Sequence, residues 1–247
     1  MRKGILLLKL NLKYLHSIAG KPVIIALLFF ANFSILSQQG WFLQYGTPTS
    51  DFDRIFMIDS SNGWLIDYDS VFSTSNGGQN WIPNNTGYWG AEDIYFINLN
   101  TGWIVTGSYI LKTTNGGQNW FQQLNSPTQH RVLFVDQNTG FTIGGIQLCR
   151  RTTNGGTNWS TISMGTGSNF LFSIYFTNHD TGWVGSEVGL LFKTTNCGLN
   201  WIQINTGVNT RLYSISFPTS DTGWAGGFDM VGESRIIFTS NGGINWV

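Results

Sequence analysis

The stretch KTTNGGQNW occupies residues 112–120, and close copies of it recur along the chain. The other four are STSNGGQNW (73–81), RTTNGGTNW (151–159), KTTNCGLNW (193–201) and FTSNGGINW (238–246). The tryptophans that close the five copies lie 39, 39, 42 and 45 residues apart. A fixed phrase at this spacing predicts an internal structural repeat.

A second marker keeps the same period. A glycine followed by an aromatic residue occurs at 63–64, 102–103, 140–141, 182–183 and 223–224. An aliphatic residue stands eight positions before each of these glycines: Ile55, Ile94, Val132, Ile174 and Ile215. Two markers in phase with a period near 40 and strand-like sequence predict an all-β fold, a β-propeller of four-stranded antiparallel blades.

One repeat shows how the strands are divided. Residues 93–100 favour an inner strand, 101–107 a second, 109–114 a third and 119–124 the outer strand. Asn-Gly between the last two favours a tight hairpin, because both residues tolerate a positive φ. Repeats then end near residues 81, 120, 159, 201 and 246, within a propeller domain of residues 38–247.

The repeated phrase is interpreted as a folding device rather than a ligand site. An asparagine side chain can accept backbone hydrogen bonds of its own turn, and a buried tryptophan contributes a large apolar surface. Five copies on five blades cannot converge on one ligand. The structural residues are Asn76, Trp81, Asn115, Trp120, Asn154, Trp159, Asn196, Trp201, Asn241 and Trp246.

Composition excludes several classes of protein. Aromatic residues make up 15% of the 247 residues and charged residues 11%, which argues against intrinsic disorder. The first 37 residues hold five of the 13 basic residues and no acid, so residues 38–247 carry eight basic and 13 acidic residues. This acidic body gives no reason to expect a nucleic-acid partner.

The basic N-terminus precedes a short apolar run, PVIIALLFFANFSIL, at residues 22–36. Fifteen residues are short for a membrane span, which needs about 20. The pattern predicts a signal peptide over residues 1–37 with the mature chain starting near Gln38, and no stable span after cleavage. The alternative is an uncleaved anchor. Both place the body outside the cytosol, as a secreted, cell-surface or periplasmic protein.

Two cysteines, Cys149 and Cys197, would then lie in a compartment that permits a disulfide. Cys197 replaces a glycine of the repeated phrase. A bridge and two unrelated thiols both remain open, with the thiols favoured. Their spacing to the histidines predicts no zinc site, and we expect no metal and no cofactor.

The phrase resembles the Asp-box, or bacterial neuraminidase repeat, here read from Thr114 to Trp120 with Asn115 in place of the aspartate. Together with the Thr-Gly-Trp marker it most resembles the photosystem II assembly/stability factor family of propellers, over residues 41–247. The resemblance implies the propeller fold and a non-enzymatic role in protein interaction or assembly. Asparagine removes the charge from the box, which makes these positions poor candidates for acid–base chemistry.

Recognition is expected on the side opposite the boxes, where the loops differ most between repeats. The candidate ligand-binding residues are Tyr88, Trp89, Arg54, Arg131, Arg211 and Glu233. Five residues in equivalent positions, one before each inner-strand aliphatic residue, are expected to ring the channel mouth: Arg54, Asp93, Arg131, Ser173 and Ser214. The expected partner is a protein or a glycan.

The alternative function is a carbohydrate-active hydrolase or glycan-binding module. A sialidase would use three arginines, with Arg54, Arg131 and Arg211 as candidates and Glu92 nearby. A xyloglucanase would need two facing carboxylates, for which Asp93 and Asp229 are candidates.

Closure of the propeller has two interpretations. The segment WFLQY (41–45) resembles an outer strand and could complete the last blade of a five-bladed ring. Further repeats downstream of Val247 would instead complete a larger ring, and this second interpretation is favoured.

Overall fold

The computed structural model describes residues 52–165, 169–229 and 231–247. The predicted signal peptide (1–37) and the strand-like segment 41–45 lie outside the described residues.

The described residues form five antiparallel sheets, here called blades 1 to 5. Blade 1 contains β1 (Arg54–Met57), β2 (Gly63–Ile66), β3 (Ser70–Thr74) and β4 (Ile82–Asn85). Blade 2 contains β5 (Ala91–Phe96), β6 (Gly102–Thr106), β7 (Tyr109–Thr113) and β8 (Phe121–Asn125). Blade 3 contains β9 (Gln129–Phe134), β10 (Gly140–Gly144), β11 (Leu148–Thr152) and β12 (Ser160–Ile162).

Blade 4 contains β13 (Leu171–Phe176), β14 (Gly182–Ser186), β15 (Leu190–Thr194) and β16 (Ile202–Asn205). Blade 5 has three strands, β17 (Arg211–Ser216), β18 (Gly223–Phe228) and β19 (Ser234–Thr239). The one helical element among the described residues is a 3₁₀ turn at Glu187–Gly189. None of the helical structure described is long and apolar enough to cross a membrane. The predicted all-β propeller is confirmed, with four strands in each of blades 1 to 4 and three in blade 5 among the described residues.

Each blade is a meander, so its loops are divided between two sides of the propeller. The turn after the first strand lies beside the repeated phrase, and the Gly116 amide donates to the carbonyl of Asn100 at 2.9 Å. The loop after the second strand lies beside the loop that leads into the next blade, and the Thr128 amide donates to the carbonyl of Gly107 at 2.9 Å. We call these the box side and the mouth side. The boxes therefore lie on the side opposite the loops that differ most between repeats, as the sequence predicted.

The repeated phrase closes its own turn through two side chains. The Thr113 hydroxyl accepts the amides of Asn115 and Gly117 at 3.3 and 3.0 Å and donates to Asn115 Oδ1 at 2.9 Å. Asn115 Oδ1 also accepts the Asn119 amide at 3.0 Å. The hydroxyl that closes the turn is therefore that of Thr113, whereas Thr114 is exposed. The other four copies make the same bonds through Thr74, Thr152, Thr194 and Thr239.

A three-ring contact joins each blade to the next. The ring of Trp103, which follows the marker glycine of blade 2, stacks on Phe134 of blade 3 at 3.6 Å. The box tryptophan of blade 3, Trp159, meets the same phenylalanine edge-on at 6.0 Å. The marker glycine of blade 3 leaves room for this ring, because a Cβ at Gly140 would lie 2.5 Å from Phe134. Equivalent stacks join the other blades: Trp64 on Phe96, Phe141 on Phe176 and Trp183 on Phe217.

Among the described residues, the face of blade 5 that carries Trp224 has no such contact with a further blade. Trp224 is 40% exposed, whereas its equivalents Trp103 and Trp183 are fully buried. On blade 1, the face of β1 is likewise open, with Ile55 62% exposed. Val247 pairs with Phe238 at the edge of β19 through bonds of 2.8 and 2.9 Å. How the propeller closes stays a prediction, because segment 41–45 is not described.

Candidate binding site at the channel mouth

A β-bulge recurs at the mouth-side end of the inner strand in blades 2 to 5. The pairing of β5 with β6 skips from Ala91 to Asp93, and the pairing of β13 with β14 skips from Leu171 to Ser173. A bulge leaves one residue out of the ladder and redirects its side chain. The bulged residues are Glu92, His130, Phe172 and Tyr213.

These bulges surround a cavity of about 380 Å³ to which every blade contributes. Its lining residues are Asp53, Arg54, Tyr68, Ala91, Glu92, His130, Arg131, Phe172 and Tyr213. The four bulged positions carry an acid, a histidine and two aromatic rings. The same backbone device therefore presents a different side chain in each blade.

The predicted ring of residues at the mouth is wrong by one position in blades 2, 4 and 5. Asp93 turns to the next blade, and its Oδ2 accepts the Val132 amide at 2.9 Å. The Ser173 hydroxyl donates to the carbonyl of Leu212 at 2.6 Å. Ser214 is exposed and does not line the cavity. The bulge causes the shift, because it turns the preceding residue into the mouth.

Arg54 and Arg131 do line the cavity, and both charges act on a largely buried acid, Asp93. Arg54 Nε lies 3.6 Å from Asp93 Oδ1. Burial raises the pKa of Asp93 to about 6, although the Val132 amide and the two arginines favour its charged form. Burial also lowers the pKa of Arg131. The mouth thus holds two cations around a poorly hydrated carboxyl group.

A second pair lies nearer the solvent. His130 Nδ1 is 3.7 Å from Glu92 Oε2. The pKa of Glu92 is lowered by its bond to His130 and by the charges of Arg131 and Arg54. Glu92 was predicted to lie near the three arginines, and it lines one cavity with two of them, Arg54 and Arg131.

An aromatic row continues from this cavity across blades 3 to 5. The His130 ring stacks on Phe172 at 6.0 Å, Phe172 meets Tyr213 at 4.8 Å, and Tyr213 stacks on Phe228 at 4.8 Å. Sequence reasoning missed Phe172 and Tyr213. They stand two positions before the inner-strand aliphatic residue, a position that differs in every repeat, and this variation was the available signal.

Arg211 lines a neighbouring cavity of about 360 Å³ with Glu187, Asn209 and Asp229. Its Nη2 lies 3.3 Å from Glu187 Oε1, and its guanidinium lies 5.9 Å from the centre of the Phe172 ring. The two cavities therefore share an aromatic neighbour, but the three predicted arginines do not line a common cavity.

Three predicted site residues lie away from both cavities. Tyr88, in the loop between β4 and β5, packs against Tyr109 of blade 2 at 5.2 Å between ring centres. Trp89 is 77% exposed, so the two aromatic residues do not form one platform. Glu233 pairs with Arg235 at 3.0 Å in the hairpin between β18 and β19.

Cys149 and Cys197 are both buried free thiols, so the disulfide alternative is not realised. Burial raises the pKa of Cys149 to about 12. A thiol with so high a pKa is a packing residue and a poor nucleophile.

Five box turns, the stacked rings between blades and the shared mouth cavity define an Asp-box β-propeller. The family described as Photosynthesis system II assembly factor YCF48 matches residues 121–247, just over half of the chain. The chain therefore belongs to this family of assembly factors. No curated protein sequence matches the chain.

Solved structures show the same fold at low identity. YCF48 from Cyanidioschyzon merolae is 14% identical with a TM-score of 0.63, and the match covers 81% of this chain and 72% of that one. The GH74 enzyme of Niastella koreensis is 15% identical with a TM-score of 0.70, covering 79% and 38%. The GH74 xyloglucanase of Xanthomonas campestris is 10% identical with a TM-score of 0.66, covering 79% and 38%. The chain thus spans less than two fifths of these GH74 enzymes, and the likeness concerns the fold alone.

Proposed function

We propose that the chain is an exported, non-enzymatic module that binds a polypeptide segment at the channel mouth. The observation that carries this proposal is the cavity to which five blades each supply a different side chain, while the box side repeats one structure. Membership of an assembly-factor family supports it, because assembly requires contact with other proteins.

The lining of the mouth suggests the chemistry of the bound segment. The Arg131 guanidinium donates to the neighbouring carbonyl of His130 at 2.6 Å, and the Arg54 side chain is 39% exposed. Guanidinium groups in this setting bind carboxylates in preference to other peptide groups. The row from Phe172 to Tyr213 offers an apolar strip beside them. We expect a segment with an acidic group next to an aromatic or aliphatic side chain.

A random-peptide display library selected against the purified protein tests this proposal. We expect enrichment of acidic–aromatic peptides, and loss of that enrichment in the double variant Arg54→Glu, Arg131→Glu. Arg235→Glu is the matched control, because Arg235 is an exposed arginine outside the cavity. Equal enrichment in the double variant would place recognition elsewhere.

The second candidate is a glycoside hydrolase, which the likeness to GH74 enzymes favours. Its two candidate carboxylates do not line a common cavity. Asp229 lines the Arg211 cavity and accepts the amides of Val231 and Glu233 at 3.0 and 2.9 Å. Asp93 is held by Val132 of the next blade. We expect no release of reducing sugar from xyloglucan, and release that disappears in Asp93→Asn would support the hydrolase instead.

Export is proposed from the sequence of residues 1–37. Expression in a bacterial host should give a periplasmic or secreted product whose N-terminus is near Gln38. A cytosolic product that retains Met1 would contradict export.

A further inference from the structure

The box side carries one cluster that the repeat does not explain. His179 and Asp180 lie in the turn between β13 and β14, and Cys197 lies in the box turn of the same blade. His179 Nε2 is 3.8 Å from Cys197 Sγ and 3.0 Å from Oδ2 of Asp136 in blade 3. His179 Nδ1 is 2.7 Å from Asp180 Oδ1. Donor atoms of His179, Asp180 and Cys197 all lie within 4.8 Å of one another.

Two departures from the repeat meet at this point. The other four blades have glycine where blade 4 has Cys197, and Ser60, Leu99, Gln137 or Ser220 where it has His179. Cys197 adopts the left-handed φ of 53° that glycine adopts elsewhere, a strained conformation for a residue with a side chain. In blade 2, a Cβ at the equivalent Gly116 would lie 3.1 Å from the carbonyl of Leu99. A side chain at this position therefore projects over the turn that carries His179.

We propose that Cys197, His179 and Asp136 form a binding site for a zinc ion or a similar thiophilic divalent metal between blades 3 and 4. Thiolate, imidazole and carboxylate are the ligands that zinc takes in proteins. In a tetrahedral zinc site, N–S and N–O ligand pairs are about 3.6 and about 3.4 Å apart. His179 Nε2 lies 3.8 Å from Cys197 Sγ and 3.0 Å from Asp136 Oδ2, which is close to these values.

The surrounding contacts suit this role. Asp180 holds Nδ1 of His179, which leaves Nε2 for the metal, as a carboxylate behind a zinc-bound histidine commonly does. Asp136 Oδ1 accepts the amides of Asn138 and Thr139 at 2.7 Å each, which fixes the carboxylate and leaves Oδ2 directed at His179. Arg151 Nε donates to the carbonyl of Cys197 at 2.9 Å and fastens the box turn to blade 3. The fourth position faces solvent, because His179 is half exposed. The spacing of the cysteines and histidines predicted no zinc site, because 18 residues separate Cys197 from His179 in sequence. The fold brings the two side chains together.

Titration of the full-length purified chain with Co²⁺ and Zn²⁺ tests the site. We expect one Co²⁺ per chain with a thiolate-to-cobalt charge-transfer absorption, and displacement of that absorption by Zn²⁺. Cys197→Gly restores the residue of the other four boxes, so it should fold, lose the absorption and bind zinc at least ten-fold more weakly. His179→Ser, which copies the residue of blades 1 and 5, should do the same.

Asp59→Asn is the matched control for Asp136→Asn, because Asp59 makes the same turn in blade 1 without a nearby cysteine or histidine. We expect roughly ten-fold weaker zinc binding for Asp136→Asn and wild-type binding for Asp59→Asn. Absence of the charge-transfer absorption, or unchanged affinity in both Cys197→Gly and His179→Ser, would overturn the proposal.

Discussion

The two sides of this propeller use repetition in opposite ways. On the box side, every blade closes its turn with the same threonine and asparagine bonds, and stacked rings join each of blades 1 to 4 to the next blade. On the mouth side, four blades share one β-bulge but place glutamate, histidine, phenylalanine or tyrosine in it.

The difference reflects what each side chain is bonded to. A box threonine is buried and holds two amides that have no other partner in the turn, so substitution leaves buried polar groups unpaired. A bulged residue lies outside the ladder and lines the mouth cavity, so it bonds no amide of a conserved turn. The side chains at the mouth can therefore vary while the box side keeps the blades together.

The largest effect is expected for Trp103→Ala on the box side. The ring is fully buried and stacks on Phe134, so its loss should lower the free energy of unfolding by about 3–5 kcal/mol. Urea denaturation measures the change. Trp224→Ala, the equivalent exposed position, should cost less than half as much; equal costs would mean that blade 5 is covered in solution.

Asp93→Asn tests a residue that lies beside the mouth cavity but bonds to the next blade. The folded pKa of about 6 exceeds the unfolded value of about 3.9, so the folded state binds the proton more tightly. The contribution of Asp93 to stability should therefore be greatest below about pH 4 and fall as the pH rises through 6. The amide still accepts from Val132 but carries no charge, so the variant should be more stable by on the order of 2 kcal/mol at pH 7 and equal at pH 4.

Thermal unfolding between pH 4 and 8 measures this difference. Asp93→Ala removes the acceptor as well and should be less stable than Asp93→Asn at every pH. A constant difference between wild type and Asp93→Asn across the pH range would contradict the raised pKa.

Asn115→Ala removes one acceptor from a single box turn. It should lower the free energy of unfolding by about 1 kcal/mol, because the Asn119 amide and the Thr113 hydroxyl lose a partner while water reaches the turn. Asn119→Ala changes an exposed side chain of the same turn and is the control. Unchanged stability after alanine substitution of all five box asparagines would contradict the structural role.

Glu92→Gln is expected to have the smallest effect. The side chain is 43% exposed and lies 3.7 Å from His130, so the change should stay below about 0.5 kcal/mol in chemical denaturation. A loss as large as that of Asn115→Ala would mean that the mouth residues also hold the fold together.

The candidate site was predicted only in part. Arg54, Arg131 and Glu92 were named from the sequence and line one cavity, because their positions follow from the repeat register. Phe172 and Tyr213 were missed, since a bulge of one residue moves the exposed position and a pattern of period two cannot reveal it. Tyr88 and Trp89 are adjacent in sequence but lie in different surroundings. Tyr88 is half-buried against Tyr109, whereas Trp89 is exposed.

The sequence by itself determined the repeat, the all-β class, the strand order and the two sides of each blade. These properties depend on neighbours in the chain, such as Thr113, Asn115 and the glycines between them, whose conformations and hydrogen bonds are local. Only the tertiary structure decided which residues of separate blades meet. Asp136, His179 and Cys197 come from three turns, and the residues of the mouth cavity come from all five blades. The packing of the blades sets the distances between these residues, and no local sequence pattern encodes that packing.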